Sequence, residues 1–321
     1  MNGIPTLSLA GTHITLYSLL AILFSLAAAC WSGIRFRQKG MRSFEGFLCC
    51  ALCAVLGLFL GRLIFCAVRS SVMFYDPLGR FAGLSPFFQL QIGSLSVIGV
   101  IAGCLLSGVL YAKCTRKETG KVMDALALPG VWLFAVMRFV EPLSKQGYGP
   151  QVTAPFLCFA PLSIQNGWGG WNLSICFIEG VLLSAVALGL MFHKTKKSGT
   201  TALLALLLVS ASQLLPESLR RDDVLRIFIF ARITQMGFAV LFFLSAVLGW
   251  VRSKKQGLPG KHIALECALV LVSMVLLIGG EFALDKTQWP DGLIYLVMLA
   301  IILFMTVLAV RRLHRGDCTE K

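Results

Sequence analysis

The sequence predicts an all-α polytopic membrane protein, because three observations agree. The 321-residue chain is 57% hydrophobic and only 14% charged, with a mean hydropathy of +0.81. Its apolar residues form several runs of about 20 residues, which is the length of a membrane-spanning helix. Its basic residues concentrate in every second connection between those runs, as in a multi-pass topology. A soluble globular domain is excluded by this composition.

The apolar runs predict about nine transmembrane helices. We place them at about residues 14–34, 46–68, 92–112, 122–142, 173–192, 200–216, 228–251, 263–281 and 291–310. The first run is long enough to span and has no basic segment before it, so no cleavable signal peptide is expected. A turn-rich QGLPG segment at 256–260 separates seven spans from a C-terminal hairpin. We therefore predict two units, at residues 1–255 and 256–321.

The distribution of charge predicts the topology. Most of the 29 Lys and Arg residues lie in alternate connections, which the positive-inside rule assigns to the cytoplasm. The N-terminus is then expected outside and the C-terminus in the cytoplasm. The net charge of +14 is then explained mostly by the cytoplasmic loops, whose basic residues also attract anionic lipid head groups. No nucleic-acid partner is expected.

The cysteines give no sign of a metal centre or of a disulfide framework. Most of the 11 cysteines lie inside apolar runs without metal-ligand spacing. Thiols in such positions act as small apolar packing groups. We therefore expect no metal and no cofactor.

A second set of basic residues falls on the predicted outer side, where topology does not require them. An arginine presents a planar fork of donors that fits phosphate. The set therefore suggests a phosphate-bearing substrate that is reached from the outer leaflet. The alternative is arginines that reach outward to lipid head groups, and it is favoured for Arg69, Arg80 and Lys286. The ten residues are Arg62, Arg69, Arg80, Arg138, Lys145, Arg220, Arg221, Arg226, Arg232 and Lys286.

Arg138 and Glu141 are the first candidate site residues. They lie one helical turn apart at the outer end of the fourth span. An ionisable residue at membrane depth costs about 3 kcal/mol on insertion scales, so such residues face the interior of a bundle and often mark function. The alternative is an arginine that reaches the interface beside a local glutamate partner.

The sixth and seventh spans add polar residues at the same predicted level. Gln213, Glu217 and Arg220 follow at helical spacing and would share one face, unless Pro216 kinks the helix there. Gln235 lies near the start of the seventh span. We expect the outer ends of the second, fourth, sixth and seventh spans to converge on one polar site.

Three further features of the sequence are a glutamate in the fifth span, glycines in the second and third spans, and aromatic residues in the long outer loop. Glu179 lies midway through the fifth span and is expected to pair with a neighbouring helix or to be protonated. Glycines in the second and third spans indicate close helix packing or a contact between backbone and a lipid head group. The long outer loop, with aromatics such as Phe156 and Trp171, indicates an interfacial arm or a lid.

The order of these motifs resembles the bacterial prolipoprotein diacylglyceryl transferase family over about residues 10–254. The family has seven spans, so the last two spans lie outside the resemblance. Residues 1–255 would then form the transferase-like bundle. The matching pieces are ITLYSLLAILFSLAA with Tyr17, LGRLIFCAV with Arg62, FFQLQIGSLSVIGVIAG, MDALALPGVWLFAVMRF with Arg138, FIEGVLL with Glu179, SQLLPESLR with Glu217 and Arg220, and ITQMG with Gln235.

The chain departs from the family pattern at three places. Ile98 stands where the family carries a histidine that is proposed as a base, and Gln213 stands where the family carries a second essential arginine. The asparagine and glycine-rich run after the signature arginine is replaced by FVEPLSKQ. The resemblance therefore implies the fold more firmly than the activity.

The resemblance implies transfer of diacylglyceryl from phosphatidylglycerol to the lipobox cysteine of prolipoproteins in a bacterial plasma membrane. The partners would be phosphatidylglycerol, the prolipoprotein signal peptide and membrane lipid. Arg138, Glu141 and Glu217 would be catalytic. Glu141 or His13 would replace the missing base. The substrate-binding residues would be Tyr17, Arg62, Gln213, Arg220 and Gln235.

Two other functions remain open at this point. The first is a catalytically inactive relative that binds phospholipid or the lipoprotein precursor, and Ile98 and Gln213 favour it. The second is a transporter of a small anion. A transporter needs a polar path through the midplane, and the sequence offers little there beyond Glu179.

Overall fold

A computed structural model describes residues 6–9, 12–75, 80–81, 83–88, 95–144, 146–165, 169–193, 195, 197–221, 232–255 and 260–318. Helices dominate this part of the chain. In order they are α1 (Leu16–Gln38), α2 (Ser43–Val68), the short α3 (Ser70–Met73) and α4 (Ser85–Phe88), α5 (Val97–Cys114), α6 (Thr119–Val140), α7 (Ile175–Phe192), α8 (Thr200–Leu219), α9 (Ile233–Lys255), α10 (Gly260–Lys286) and α11 (Asp291–Cys318).

The predicted number of spans is confirmed. Within the described residues, nine helices are long and apolar enough to cross a membrane: α1, α2 and α5 to α11. Many large apolar side chains on their outer faces are exposed, among them Leu26, Val55 and Val272. Lipid is the environment in which such a surface is stable. Pro216 lies inside α8, and the helix continues beyond it to Leu219.

Two small antiparallel sheets were not predicted. The strands β1 (Thr6–Leu9) and β2 (Thr12–Thr15) form a hairpin before α1. Between α6 and α7, the strands β3 (Tyr148–Val152), β4 (Ser163–Gln165) and β5 (Trp171–Ser174) form a sheet of order β3-β5-β4. The arm that we expected from its aromatic residues is therefore a small sheet. Strands this short carry too little alternation to be recognised in a sequence.

The helices pack around α8, which is the most buried of the nine spans, whereas α10 is the least buried. Leu207 of α8 and Phe238 and Phe242 of α9 are fully buried in the main apolar core. Val270 of α10 and Met305 of α11 are buried in the same core. The C-terminal hairpin therefore shares the core of the bundle. The boundary at 255/256 stays a prediction, because residues 256–259 lie outside the described residues.

Glycines bring α2 and α5 into close contact. A Cβ atom on Gly99 would lie 2.4 Å from the carbonyl oxygen of Leu60, and one on Gly103 would lie 2.4 Å from that of Leu56. Ser107 of α5 adds a hydrogen bond of 3.0 Å to the carbonyl oxygen of Leu52. The structure therefore supports the packing interpretation of these glycines, because no side chain fits between the two backbones.

A buried aspartate fixes α6 against α8 at the end of the bundle opposite Arg138. Asp124 accepts the backbone N–H of Gly199 at 2.7 Å and that of Ala202 at 2.9 Å. Gly199 directly precedes α8 and Ala202 lies in its first turn, where N–H groups have no partner within the helix. The carboxylate of Asp124 in α6 thus caps the N-terminus of α8 and fixes the position of the two helices along their axes relative to each other. Nothing in the sequence analysis singled out Asp124.

We expect Gly103→Ala to destabilise the protein by about 1 to 3 kcal/mol, because the added methyl group meets backbone rather than a movable side chain. Thermal unfolding in detergent micelles measures the change. Gly130→Ala in α6 is the matched control, since a Cβ there meets no atom within 4 Å. The control should be neutral or more stable by up to about 1 kcal/mol. Equal stability of the two variants would contradict this account of the α2–α5 contact.

Candidate functional site

Five charged side chains meet at one end of the bundle, which we call the site end. Arg138 lies in the last turn of α6, and Glu141 begins the 3₁₀ turn Glu141–Ser144 that follows it. Glu179 comes from the second turn of α7. Glu217 and Arg220 come from the end of α8. We call these five residues the ion-pair cluster.

Arg138 is the hub of the ion-pair cluster. Its Nη1 atom lies 2.6 Å from Oε2 of Glu141, and its Nη2 atom lies 2.9 Å from Oε1 of Glu217. Its Nε atom lies 3.0 Å from Oε2 of Glu179. The face of the guanidinium lies over the ring of Phe134, 5.0 Å from the ring centroid. One buried guanidinium therefore holds carboxylates from three segments, which its planar fork of donors allows.

Arg220 shares one carboxylate with Arg138. Its Nη2 atom lies 2.6 Å from Oε1 of Glu141, while Arg138 binds the other oxygen of the same group. Its Nη1 atom lies 3.7 Å from Glu179 and 3.8 Å from Glu217. Glu141 thus bridges two guanidinium groups. Its side chain is also the most exposed carboxylate of the cluster, at 13% against 0% for Glu179 and 1% for Glu217.

The start of α9 closes the site from a fourth side. Thr234 donates its hydroxyl to Oε2 of Glu217 at 2.8 Å. Arg232 donates from Nη1 to the backbone carbonyl of Glu217 at 2.6 Å. With Arg232 included, these described residues supply three guanidinium groups and three carboxylates. The balance of charge explains how so many ionisable groups can be buried together.

Glu179 has the least satisfied carboxylate of the cluster. Neither of its oxygens makes a hydrogen bond within the described part of the chain, although Arg138 Nε is only 3.0 Å away. Ligand atoms of Glu141, Cys176 and Glu179 lie within 4.8 Å of one another, a spacing that a cation could use. Both carboxylates already face arginines, so we assign the group to ion pairing.

The predicted substrate-binding residues do not all face the ion-pair cluster. Tyr17 of α1 lies within electrostatic range of Glu141 and Arg138. Gln213 is fully buried one turn before Glu217, and its Oε1 atom has no hydrogen-bond partner among the residues described. Gln235 donates to Oε1 of Glu281 in α10 at 2.6 Å, so its amide faces the C-terminal hairpin.

The contacts described for Arg62 lie on another segment. Its Nε atom donates to the carbonyl oxygen of Phe87 at 3.0 Å, and its Nη2 atom donates to that of Pro86 at 2.5 Å. The guanidinium also lies 5.5 Å from the ring centroid of Phe65. These contacts tie the end of α2 to α4. Arg226, which precedes the seventh predicted span, lies outside the described residues.

Ile98, which stands where the resemblance implies a histidine, is packed against α9. A Cβ atom on Gly237 would lie 2.4 Å from Cγ1 of Ile98, so α5 and α9 are in tight apolar contact there. No ionisable group occupies that position. His13, the other proposed base, lies on β2, but its side chain lies outside the described part of the structure.

Sequence reasoning missed two features of the site. Thr234 was not a candidate, because a threonine in an apolar run carries no cost that would draw attention to it. Glu179 was expected to find a helix partner, and it does so in Arg138, but it was not included among the site residues. The rule that buried charges must be paired could have placed Glu179 in the site.

Fold and site together define a multi-pass membrane protein with a buried, charge-balanced arginine site at one end of its bundle. A family model described as prolipoprotein diacylglyceryl transferase matches residues 5–252. The chain belongs to this family, as its motifs had indicated. A comparison with curated proteins gives no match. The matched range runs from the N-terminal hairpin into α9, so α10 and α11 lie beyond it.

Membership supports prolipoprotein diacylglyceryl transfer in general, and with it a place in lipoprotein biosynthesis. The partners that follow at this level are a lipid donor and a prolipoprotein. The apolar helices agree with a protein that works within a membrane.

We expect Thr234→Val to destabilise the protein by about 1 to 3 kcal/mol, because it leaves a buried carboxylate oxygen of Glu217 without its donor. The midpoint of denaturation in detergent measures the change. Thr306→Val in α11 is the control, because Thr306 donates to the carbonyl of Ile302 one turn earlier in its own helix. Such a bond contributes little to stability. A Thr234 variant as stable as the control would show that this hydroxyl does not hold Glu217.

Proposed function

We propose that this protein transfers diacylglyceryl from phosphatidylglycerol to the lipobox cysteine of prolipoproteins. The observation that carries the proposal is the bridge at Glu141. Two guanidinium groups, from Arg138 and Arg220, each lie 2.6 Å from an oxygen of one carboxylate. Two donors aimed at one small anion form the arrangement that a phosphate requires. Arg220 supplies the second guanidinium that the family pattern places at Gln213.

The reaction makes two chemical demands on the site. The acceptor thiol must lose its proton, because the thiolate is the nucleophile and a free thiol has a pKa of about 8.5. The thiolate then forms a C–S bond to the glycerol carbon of the donor, while the C–O bond to phosphate breaks and its electron pair stays on the phosphate oxygen. Glycerol phosphate leaves. Cations that face this oxygen lower the barrier, because they stabilise the charge that develops there.

The residues of the site divide these tasks. Arg138 and Arg220 hold the phosphate, and Glu217 fixes the position of Arg138. Glu141 is the proposed base in place of the family histidine, since Ile98 cannot accept a proton. Tyr17 hydrogen-bonds the lipid. Arg62, Gln213 and Gln235 remain proposed substrate contacts, and Arg62 would have to extend from its present position at the end of α2.

We propose that the site end faces outward in a bacterial plasma membrane, with the N-terminus outside and the C-terminus in the cytoplasm. The two ends of α6 support this orientation, because Lys121 lies in its first turn and Arg138 in its last. Lys113 and Arg116 lie close to Lys121 in the chain and belong to the same basic end. The positive-inside rule assigns that end to the cytoplasm.

The purified protein, mixed with phosphatidylglycerol and a lipobox peptide, should form a thioether that mass spectrometry detects. Arg138→Ala should lower the rate by about 100-fold or more, which is the usual effect of removing one donor to a developing oxyanion. Arg138→Lys keeps the charge but loses the planar set of guanidinium donors, so its rate should be lower as well. Arg37→Ala, an exposed change at the basic end, is the control. Undiminished activity in Arg138→Ala would refute the assignment.

A second candidate is an inactive relative that binds phospholipid or the lipoprotein precursor. The packing of Ile98 against Gly237 favours it, because this apolar contact leaves no base at the position of the family histidine. The same assay separates the two functions. Binding of phosphatidylglycerol that depends on Arg138, without formation of a thioether, is the expected result for the inactive relative.

A further inference from the structure

Glu141 occupies the position that the proposed function assigns to a phosphate. Its two oxygens lie on one central atom, and each of them is 2.6 Å from a different guanidinium group. A phosphodiester also presents two anionic oxygens on one central atom. The arginines therefore already hold an anion of similar shape, and a donor lipid has to compete with it.

Of the three carboxylates, Glu141 is the one placed to leave. Its side chain is 13% exposed, whereas those of Glu179 and Glu217 are 0% and 1% exposed. It lies at the boundary where α6 ends and the 3₁₀ turn begins, whereas Glu179 lies inside α7 and Glu217 lies inside the last turn of α8. Thr234 also binds the carboxylate of Glu217. Because its backbone N–H bonds to Met137 in the last turn of α6, the carboxylate of Glu141 would leave by rotation of its side chain, without a change in the backbone.

The charge balance indicates which anion fits. With Glu141 in place, Arg138, Arg220 and Arg232 are balanced by three carboxylates. Without Glu141, and with Glu179 ionised, the described buried groups of the site carry one net positive charge. A phosphodiester carries one negative charge and restores neutrality, which a buried site requires. A dianion would leave an uncompensated negative charge.

We propose that Glu141 is an internal counterion that the monoanionic phosphodiester of the donor lipid displaces, and that the displaced carboxylate takes the proton of the acceptor thiol. This inference rests on the proposed function and deepens it. While both arginines hold Glu141, its carboxylate is a poor proton acceptor. Binding of the lipid removes both of these partners. The base thus becomes active only when the donor is in place, and the thiol proton ends on Glu141 while the thiolate forms the C–S bond.

Glu141→Gln provides the test, because it keeps the shape of the side chain and removes its charge. We expect phosphatidylglycerol in nanodiscs to bind about tenfold more tightly, since the competitor has lost a charge-assisted contact. Turnover should fall by about 100-fold or more, because the proton acceptor is lost. Opposite effects on binding and turnover are not expected of a residue that only supports the fold. Thermal unfolding and gel filtration establish that the variant is folded.

Two further variants distinguish displacement of Glu141 from an effect of negative charge elsewhere in the protein on lipid binding. Asp291→Asn, an exposed change in the first turn of α11, removes the same charge outside the ion-pair cluster and should leave binding unchanged. Glu179→Gln removes a carboxylate within the cluster but leaves Glu141 on both arginines, so it should tighten binding less than Glu141→Gln does. Inorganic phosphate, tested at a pH where it is a monoanion, should gain by a similar factor from Glu141→Gln, because the same competitor is removed, but it should bind the wild-type protein more weakly than the lipid does.

Some results would overturn the inference. Binding to Glu141→Gln that is unchanged or weaker contradicts displacement, and so does equal tightening by Glu179→Gln. Tighter binding of inorganic phosphate than of the lipid by the wild-type protein would mean that the site takes free phosphate rather than a lipid. Failure of the proposed function looks different, because the wild-type protein would then form no thioether whatever the lipid affinity of the variants.

Discussion

A single buried guanidinium determines how one end of this bundle is assembled. Arg138 binds carboxylates that come from its own segment, from α7 and from α8, and it is almost inaccessible. A charge in such a place is tolerated only when its partners are close and correctly oriented. The ends of three helices must therefore meet around it. Loss of the arginine would leave three carboxylates that share the guanidinium of Arg220 among the described residues, so the assembly of this end depends on one group.

The rest of the bundle keeps this meeting point in position. Asp124 caps α8 from the first half of α6, at the end opposite Arg138. The two helices are thus joined by an aspartate at one end and by an arginine at the other. The glycine contact between α2 and α5 holds a second pair of helices at close range. Rigid helices fixed at both ends suit a site that must present two guanidinium groups at a defined separation.

Much of this arrangement could be predicted from the sequence, because lipid penalises charge. The nine spans followed from apolar length, and the meeting of Arg138, Glu141, Glu217 and Arg220 followed from their need for partners. Features that carry no free-energy cost in lipid could not be predicted in this way. Thr234 is a neutral residue, and the strands of the arm are too short to show a period. The bond from Gln235 to Glu281, which lies beyond the range of the family pattern, was not predicted, and the role of Gln235 as a substrate contact stays a prediction.

That bond between Gln235 and Glu281 belongs to a larger contact, in which α10 and α11 lie against α8 and α9. The hairpin therefore seals one flank of the bundle from the surrounding acyl chains. If the proposed lipid donor reaches the ion-pair cluster by lateral diffusion, this flank of the bundle is closed to it.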